Sequence, residues 1–220
     1  RTTVLEEVAK FRAARQLWAQ IMKERFGVTS QRAMHLRFHT QTAGVQLTAQ
    51  QPELNLVRVA LQALAAVLGG TQSLHTNSFD EALGLPTEKA ARLALRTQQV
   101  IANESDVAAT VDALAGSAVV ESMTTEIALA AKELIAKIDQ MGGAVAGIEA
   151  GFQKGEIEKS AYRISQEIES GNRVVVGVNA FMEEASTYLP LEINPQIAKE
   201  QGAKLAKLRE SRDQSAVTKA

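Results

Sequence analysis

Apolar residues recur at helical spacing from the start of the chain. Leu5, Val8, Phe11, Trp18 and Ile21 mark one stripe, with Lys10, Arg12, Arg15 and Lys23 on the other faces. This predicts an amphipathic helix over residues 5–26, with Trp18 as a core anchor and Gly27 as its stop. A strand flanked by apolar residues follows, Leu36-Arg37-Phe38-His39-Thr40-Gln41, ending in Thr42-Ala43-Gly44. After a small, polar stretch to Gln51, Pro52 opens an alanine- and leucine-rich helix from Glu53 to Leu68. Gly69-Gly70 releases the chain into a second short strand and a polar burst running from Gln72 to Glu81. Thr87 then reads as the N-cap of a helix from Glu88 to Glu104, with Arg92, Arg96 and Gln99 on a solvated face. Val107, Val111 and Leu114 are candidates for a short strand within 106–117. Helices are expected over 122–140, 144–151 and 156–170, and Val174–Val178 reads as a buried strand by its β-branched run. Beyond Asn179 the pattern loosens around Pro190 and Pro195. The closing helix, 196–212, carries only a sparse stripe of Ile197, Leu205 and Leu208, which suits a linker or arm docking on a partner.

The two strands share a layout. Each ends in His-Thr followed by an amide, His39-Thr40-Gln41 in the first and His75-Thr76-Asn77 in the second. About one α/β unit separates them, so a parallel sheet brings both polar ends to the same rim. Taken alone, the second burst fits a hydrated loop about as well as a site. The repeated chemistry makes a shared pocket the better reading, with His39, Thr40, Gln41, Gln72, Ser73, His75, Thr76, Asn77 and Glu81 as its lining.

Composition narrows the chemistry. The 220 residues are 45% hydrophobic, enough for one sizeable core, and no apolar run is long enough to span a bilayer. A formal net charge of −1 argues against a general grip on nucleic acid or an anionic membrane. There are no cysteines, so no disulfide framework, thiolate ligand or thiol nucleophile, and a soluble protein of a reducing cytoplasm is expected. Of the three histidines, His35 and His39 stand four apart but run into a segment read as a strand and not a helix, so a self-contained metal site is not expected. The chain opens at Arg1 within a helical pattern and closes within another, so a piece of a larger protein is expected.

The pocket lining is rich in neutral donors and acceptors. It offers no opposed carboxylates for glycoside chemistry, no nucleophile elbow around Ser73, no Gly-rich phosphate loop and no evident general base for a lyase. Such a wall suits binding, orienting and shielding a reactive cofactor. Arg32 and Arg37 stand just before the first strand end, where they are either phosphate contacts of a long substrate or solvent-facing charges.

Three long motifs, Arg37-Phe38-His39-Thr40-Gln41-Thr42-Ala43-Gly44, Leu47-Thr48-Ala49-Gln50-Gln51-Pro52 and the stretch from Gly69 to Pro86, resemble the large chain of the adenosylcobalamin-dependent acyl-CoA mutases, the methylmalonyl-CoA and isobutyryl-CoA mutase family. Phe11-Arg12-Ala13-Ala14-Arg15, Leu95-Arg96-Thr97-Gln98-Gln99 and Gly177-Val178-Asn179 fit as well, so the similarity covers nearly the whole chain. Glu53-Leu54-Asn55 and Gly151-Phe152-Gln153-Lys154-Gly155 look closer to the isobutyryl-CoA type.

The resemblance implies an α/β fold: the C-terminal portion of a (β/α)₈ TIM barrel over residues 1–180, then an extended segment and helical linker over 181–220. Acyl-CoA threads such a barrel along its axis and adenosylcobalamin caps the strand C-terminal rim, its cobalt ligated outside this chain. Homolysis of the cobalt–carbon bond gives an adenosyl radical that abstracts substrate hydrogen before the thioester-bearing group migrates. By motif position, His39 and Gln41 would face the thioester and radical region as catalytic residues. Gly44, Asn77, Glu81 and Gly84 would lie against the cofactor, with Asn77 and Glu81 near the adenosyl ribose. Arg32, Arg37, His39, Gln72 and Ser73 would contact substrate or its CoA. The implied partners are a cobalamin-binding small subunit or domain, the N-terminal part of the barrel and an oligomer. The family's Asp-Pro-Leu-Ala-Gly-Ser-Tyr reads Asp112-Ala113-Leu114-Ala115-Gly116-Ser117-Ala118, losing the proline and the aromatic. A non-catalytic assembly module derived from a mutase is the competing reading.

Overall fold

The computed structural model describes residues 1–184 and 188–220; residues 185–187, within the segment expected to be extended, lie outside the described residues. In chain order the elements are α1 (Val4–Glu24), α2 (Gln31–Met34), β1 (His39–Gln41), a 3-10 turn (Gly44–Gln46), α3 (Leu54–Leu68), β2 (Ser73–His75), α4 (Glu88–Glu104), α5 (Ala118–Gln140), α6 (Ala144–Glu149), α7 (Phe152–Glu169), α8 (Gln196–Ser211) and α9 (Gln214–Lys219). They fall into two compact units, Arg1–Pro190 and Leu191–Ala220. The second holds α8 and α9, all of whose residues are exposed. Asp213 caps α9 by accepting the amides of Ser215 and Ala216 at 2.8 and 3.2 Å.

In the first unit β1, α3 and β2 form one parallel crossover, with His39 opposite Ser73, Thr40 opposite Leu74 and Gln41 opposite His75. A parallel pair needs a long connection, and the alanine-rich α3 supplies it, burying Val59, Ala63, Ala65 and Ala66. The helix ends where predicted. Gly70 takes φ 78°, a left-handed turn that lets Thr71 N–H reach Ala66 O at 3.1 Å. Gly69 lets the Phe11 ring approach too closely for any Cβ, and Phe11 stacks on Phe38 with centroids 5.0 Å apart. Among the described residues the sheet has two strands, so the α/β arrangement is present here as this one unit followed by α4.

Several local expectations are corrected. Trp18 is 39% exposed, donating its indole N–H to Ala33 O at 3.0 Å. The buried side of α1 is instead Val8, Ala9, Ala13 and Leu17, because Ala13 and Leu17 pack against Ala128 of α5 and small side chains let the helices close up. Val174–Val178 is not a strand: it makes only an isolated bridge, Val176 with Ala180. Asn179 does the work of a neighbouring strand there, accepting Val175 N–H at 2.7 Å and donating to Ile168 O and Arg173 O at 2.8 Å. Residues 106–117 are not a strand either but a chain of turns, Ala109 N–H to Asp106 O and Ala115 N–H to Asp112 O, both 2.9 Å, leaving Val111 exposed. Arg12 of α1 holds that loop, reaching Asp112 at 3.0 Å, Glu121 at 2.7 Å and Thr124 at 3.2 Å. This clamp stands where the sequence lacks a proline and an aromatic. α5 and α7 each begin four residues earlier than expected, at Ala118 and Phe152.

Candidate functional site

The strands are parallel, so both C-terminal tips lie on one side, but the two His-Thr-amide triplets are offset by two residues: His39 starts β1 opposite Ser73, and His75 ends β2 opposite Gln41. His39 Nδ1 and Ser73 Oγ are 2.8 Å apart across the strands, and Thr40 donates its hydroxyl to Thr71 Oγ1 at 2.8 Å. One step further along, Gln41 Nε2 donates to Asn77 Oδ1 at 3.1 Å. Asn77 is buried and fixed twice over: its amide N–H donates to Thr42 Oγ1 at 2.9 Å and its Nδ2 to Thr42 O at 3.0 Å. His39, Gln41, Ser73, His75 and Glu81 are exposed, so this polar wall faces outward from the chain.

Gly44 sits under the wall. A Cβ there would collide with Glu81 Oε1 and stand 3.1 Å from Asn77 Nδ2, so glycine is what allows the Glu81 carboxylate to lie across the backbone. Partial burial pushes the Glu81 carboxyl above the usual range, and His75 pulls it back. Asp80 and Glu81, adjacent in sequence, point to different worlds. Asp80 is fully buried, yet its carboxyl is held below the usual range: burial acts upward, and hydrogen bonds led by Thr87 N–H, with the Tyr188 and Thr87 hydroxyls among them, outweigh it. Gly84 closes the turn by donating its amide to Asp80 O at 3.2 Å and lies beside Pro190.

Two of the remaining expected residues, Arg37 and Gln72, lie at the other end of the strands, about 10 Å from His75 for three residues of rise. Arg37 and Gln72 line a cavity of about 390 Å³ together with Arg15, Met34 and His35. Arg15 is held there by its bond to Gly69 O, and burial pushes its guanidinium pKa down. The Gln72 amide is engaged with backbone, accepting Phe38 N–H at 2.8 Å and donating to Gly70 O at 2.9 Å. Arg32 is exposed on α2 and does not line this cavity.

The supports behind the wall were not evident from the sequence. Asn55 is fully buried on α3, donating to Thr48 O and Phe79 O, each at 2.8 Å, and accepting from Thr48 N–H and Arg58. Tyr188 comes back from 108 residues away to donate to Asp80 Oδ2 at 2.8 Å. Only the capping pattern at Thr87 hinted at this region: Thr87 Oγ1 accepts Ala90 N–H at 3.2 Å. Among the described residues no cluster of His, Asp and Glu could hold a metal ion, and no helix is long and apolar enough to cross a membrane.

The polar side chains are thus gathered at the two ends of one parallel β-α-β unit. The family model for methylmalonyl-CoA mutase matches residues 1–220. Similar relatives include the 2-hydroxyisobutanoyl-CoA mutase large subunit of Aquincola tertiaricarbonis, 46% identical over 215 residues, which is 96% of this chain and 38% of that one. The methylmalonyl-CoA mutase of Escherichia coli (strain K12) is 46% identical over 216 residues, 97% of this chain and 30% of that one. The mitochondrial methylmalonyl-CoA mutase of Homo sapiens is 45% identical over 212 residues, 95% and 28% respectively. The chain belongs to the methylmalonyl-CoA mutase family. It spans roughly a third of the length of these relatives.

Proposed function

We propose that this chain supplies part of the substrate- and cofactor-facing wall of an adenosylcobalamin-dependent acyl-CoA mutase, a carbon-skeleton isomerase. The observation that carries the reading is the strand register: it sets neutral polar tips on one rim, with Gly44 open beneath Glu81, and leaves Arg37 at the other end. Residues 1–180 would be the C-terminal part of a (β/α)₈ barrel and 181–220 the segment leading on from it. The substrate is isobutyryl-CoA/butyryl-CoA or methylmalonyl-CoA/succinyl-CoA. Partners are the rest of the barrel, a cobalamin-binding small subunit or domain that ligates the cobalt, and further copies in an oligomer. We place the assembly in the cytoplasm.

The residues present fit the cofactor. Gly44 keeps the rim clear of a side chain, and exposed Glu81 presents acceptors suited to the hydroxyls of an adenosyl ribose, with buried Asn77 behind it holding Gln41 in place. When bound, adenosylcobalamin supplies a carbon-centred radical. This chain's residues hold and orient. In the tautomer in which Ser73 donates to Nδ1, the His39 Nε2–H would be a donor for a thioester carbonyl, and Gln41, anchored on Asn77, would border the migrating region. Arg37 and Arg32 would meet CoA phosphates through their planar guanidinium forks, with Gln72 and Ser73 bordering the chain between.

The test is replacement of Gln41 or Glu81 by alanine in the complete assembly, with turnover followed for each acyl-CoA pair. Loss of about 10²-fold is expected for a preorganised polar contact of this kind. Unchanged turnover would point to the non-catalytic assembly module.

A further inference from the structure

Glu81 carries the proposed contact to the ribose, yet its side chain makes no hydrogen bond among the described residues. Its direction is set by the backbone turn it sits on. That turn closes on Asp80: Leu83 N–H and Gly84 N–H both reach Asp80 O, at 2.8 and 3.2 Å, while Glu81 N–H reaches Ser78 O at 3.2 Å. The Asp80 side chain is fully buried, and one oxygen, Oδ2, receives Thr87 N–H at 3.0 Å, the Thr87 hydroxyl at 3.3 Å and the Tyr188 hydroxyl at 2.8 Å. The other, Oδ1, is buried without a partner. The first contact ties the turn to the N-terminus of α4, and the last ties it to a distant part of the chain. Phe79 adds an edge-to-face contact with the Tyr188 ring, centroids 5.4 Å apart.

We propose that Asp80 is a positioning residue for the cofactor: with Thr87 and Tyr188 it fixes the turn so that Glu81 faces the adenosyl ribose. This rests on the assignment of the rim to adenosylcobalamin made above. An ionised carboxylate is required because three donors converge on one oxygen and the other oxygen has none to share. An asparagine would put an NH₂ group either among those donors or into the unpartnered site, and the turn would shift. Tyr188→Phe removes one of the three donors and leaves the ring contact.

The experiment uses the complete mutase assembly and two probes titrated by visible absorbance, adenosylcobalamin and hydroxocobalamin, which lacks the adenosyl group. Asp80→Asn and Tyr188→Phe are expected to weaken adenosylcobalamin binding about tenfold, the size of a lost hydrogen bond to a charged group, and to leave hydroxocobalamin within about twofold. kcat should fall with KM for acyl-CoA unchanged. Equal losses for both cobalamins, or none, overturn the positioning role. Glu81→Gln is the reference. If it too fails to discriminate the probes, the assignment of the rim to the ribose falls. If it discriminates and the other two variants do not, only the role of Asp80 and Tyr188 falls. Should Asp80→Asn not fold, Tyr188→Phe decides by the same criterion.

Discussion

At Gly44 a missing side chain matters more than any present one. Its backbone is not in the left-handed region, so alanine is tolerated conformationally, and the atom it would strike is the free end of Glu81. Gly44→Ala should therefore unfold within about 1 kcal/mol of the parent in urea while turnover of the assembly drops at least about tenfold, because Glu81 must swing aside. Equal losses of stability and turnover would mean that Gly44 serves packing. Glu81 itself gives a pH test. A carboxyl with a raised folded-state pKa binds its proton more tightly in the native state. Its ionisation thus costs stability as pH rises from about 4.3, the unfolded value, through the folded pKa. The stability of Glu81→Gln relative to the parent should climb across that window and level off above it, as read from urea midpoints at successive pH values. The strand ends were legible in the sequence because His-Thr-amide occurs twice. The opposed fates of Asp80 and Glu81 were not, since adjacency in sequence says nothing about which of two carboxylates turns inward.

At the level of elements, what was readable had a period or a punctuation mark. α3 and α4 fall where Pro52, Gly69-Gly70 and Thr87 put them. Val174–Val178 misled because β-branched composition measures fit to a pleated surface, and here Asn179, Arg58 and local turns satisfy the backbone that a partner strand would have satisfied. Trp18 misled because a helical stripe does not say which neighbour arrives; α5 packs on the small residues and leaves the indole at the edge. Asn55 is the element-scale counterpart of Asp80, a single side chain joining α3, the Thr48 loop and the rim turn. Asn55→Ala leaves two buried carbonyls, Thr48 O and Phe79 O, without that donor. A loss of about 2–4 kcal/mol is expected in urea unfolding, against less than about 0.5 kcal/mol for Arg92→Ala, a change at an exposed residue of α4. Similar losses for the two would mean that the rim turn does not depend on α3.

For the whole molecule the telling feature is how much of the wall is open. A site that shields a radical must exclude water, and exclusion requires surfaces on all sides. In these 220 residues His39, Gln41, His75 and Glu81 are exposed, and the described sheet has two strands and so two edges. Large apolar side chains also stand open, Val145 and Ile148 on α6, Ile157 on α7, and Phe181 and Met182 beyond it. Contacts from one side leave most of a corrin solvated, and the cost of immobilising the ligand is then offset by only a fraction of the interactions that the complete site provides. The chain by itself should accordingly bind adenosylcobalamin with Kd weaker than about 10 μM, less favourable than about −7 kcal/mol, in titration calorimetry. Adding the rest of the barrel and the cobalamin-binding subunit should restore tight binding, read by the same calorimetry. Submicromolar binding by these residues alone would mean that the rim is already a closed site, and the division of labour proposed here would have to be redrawn.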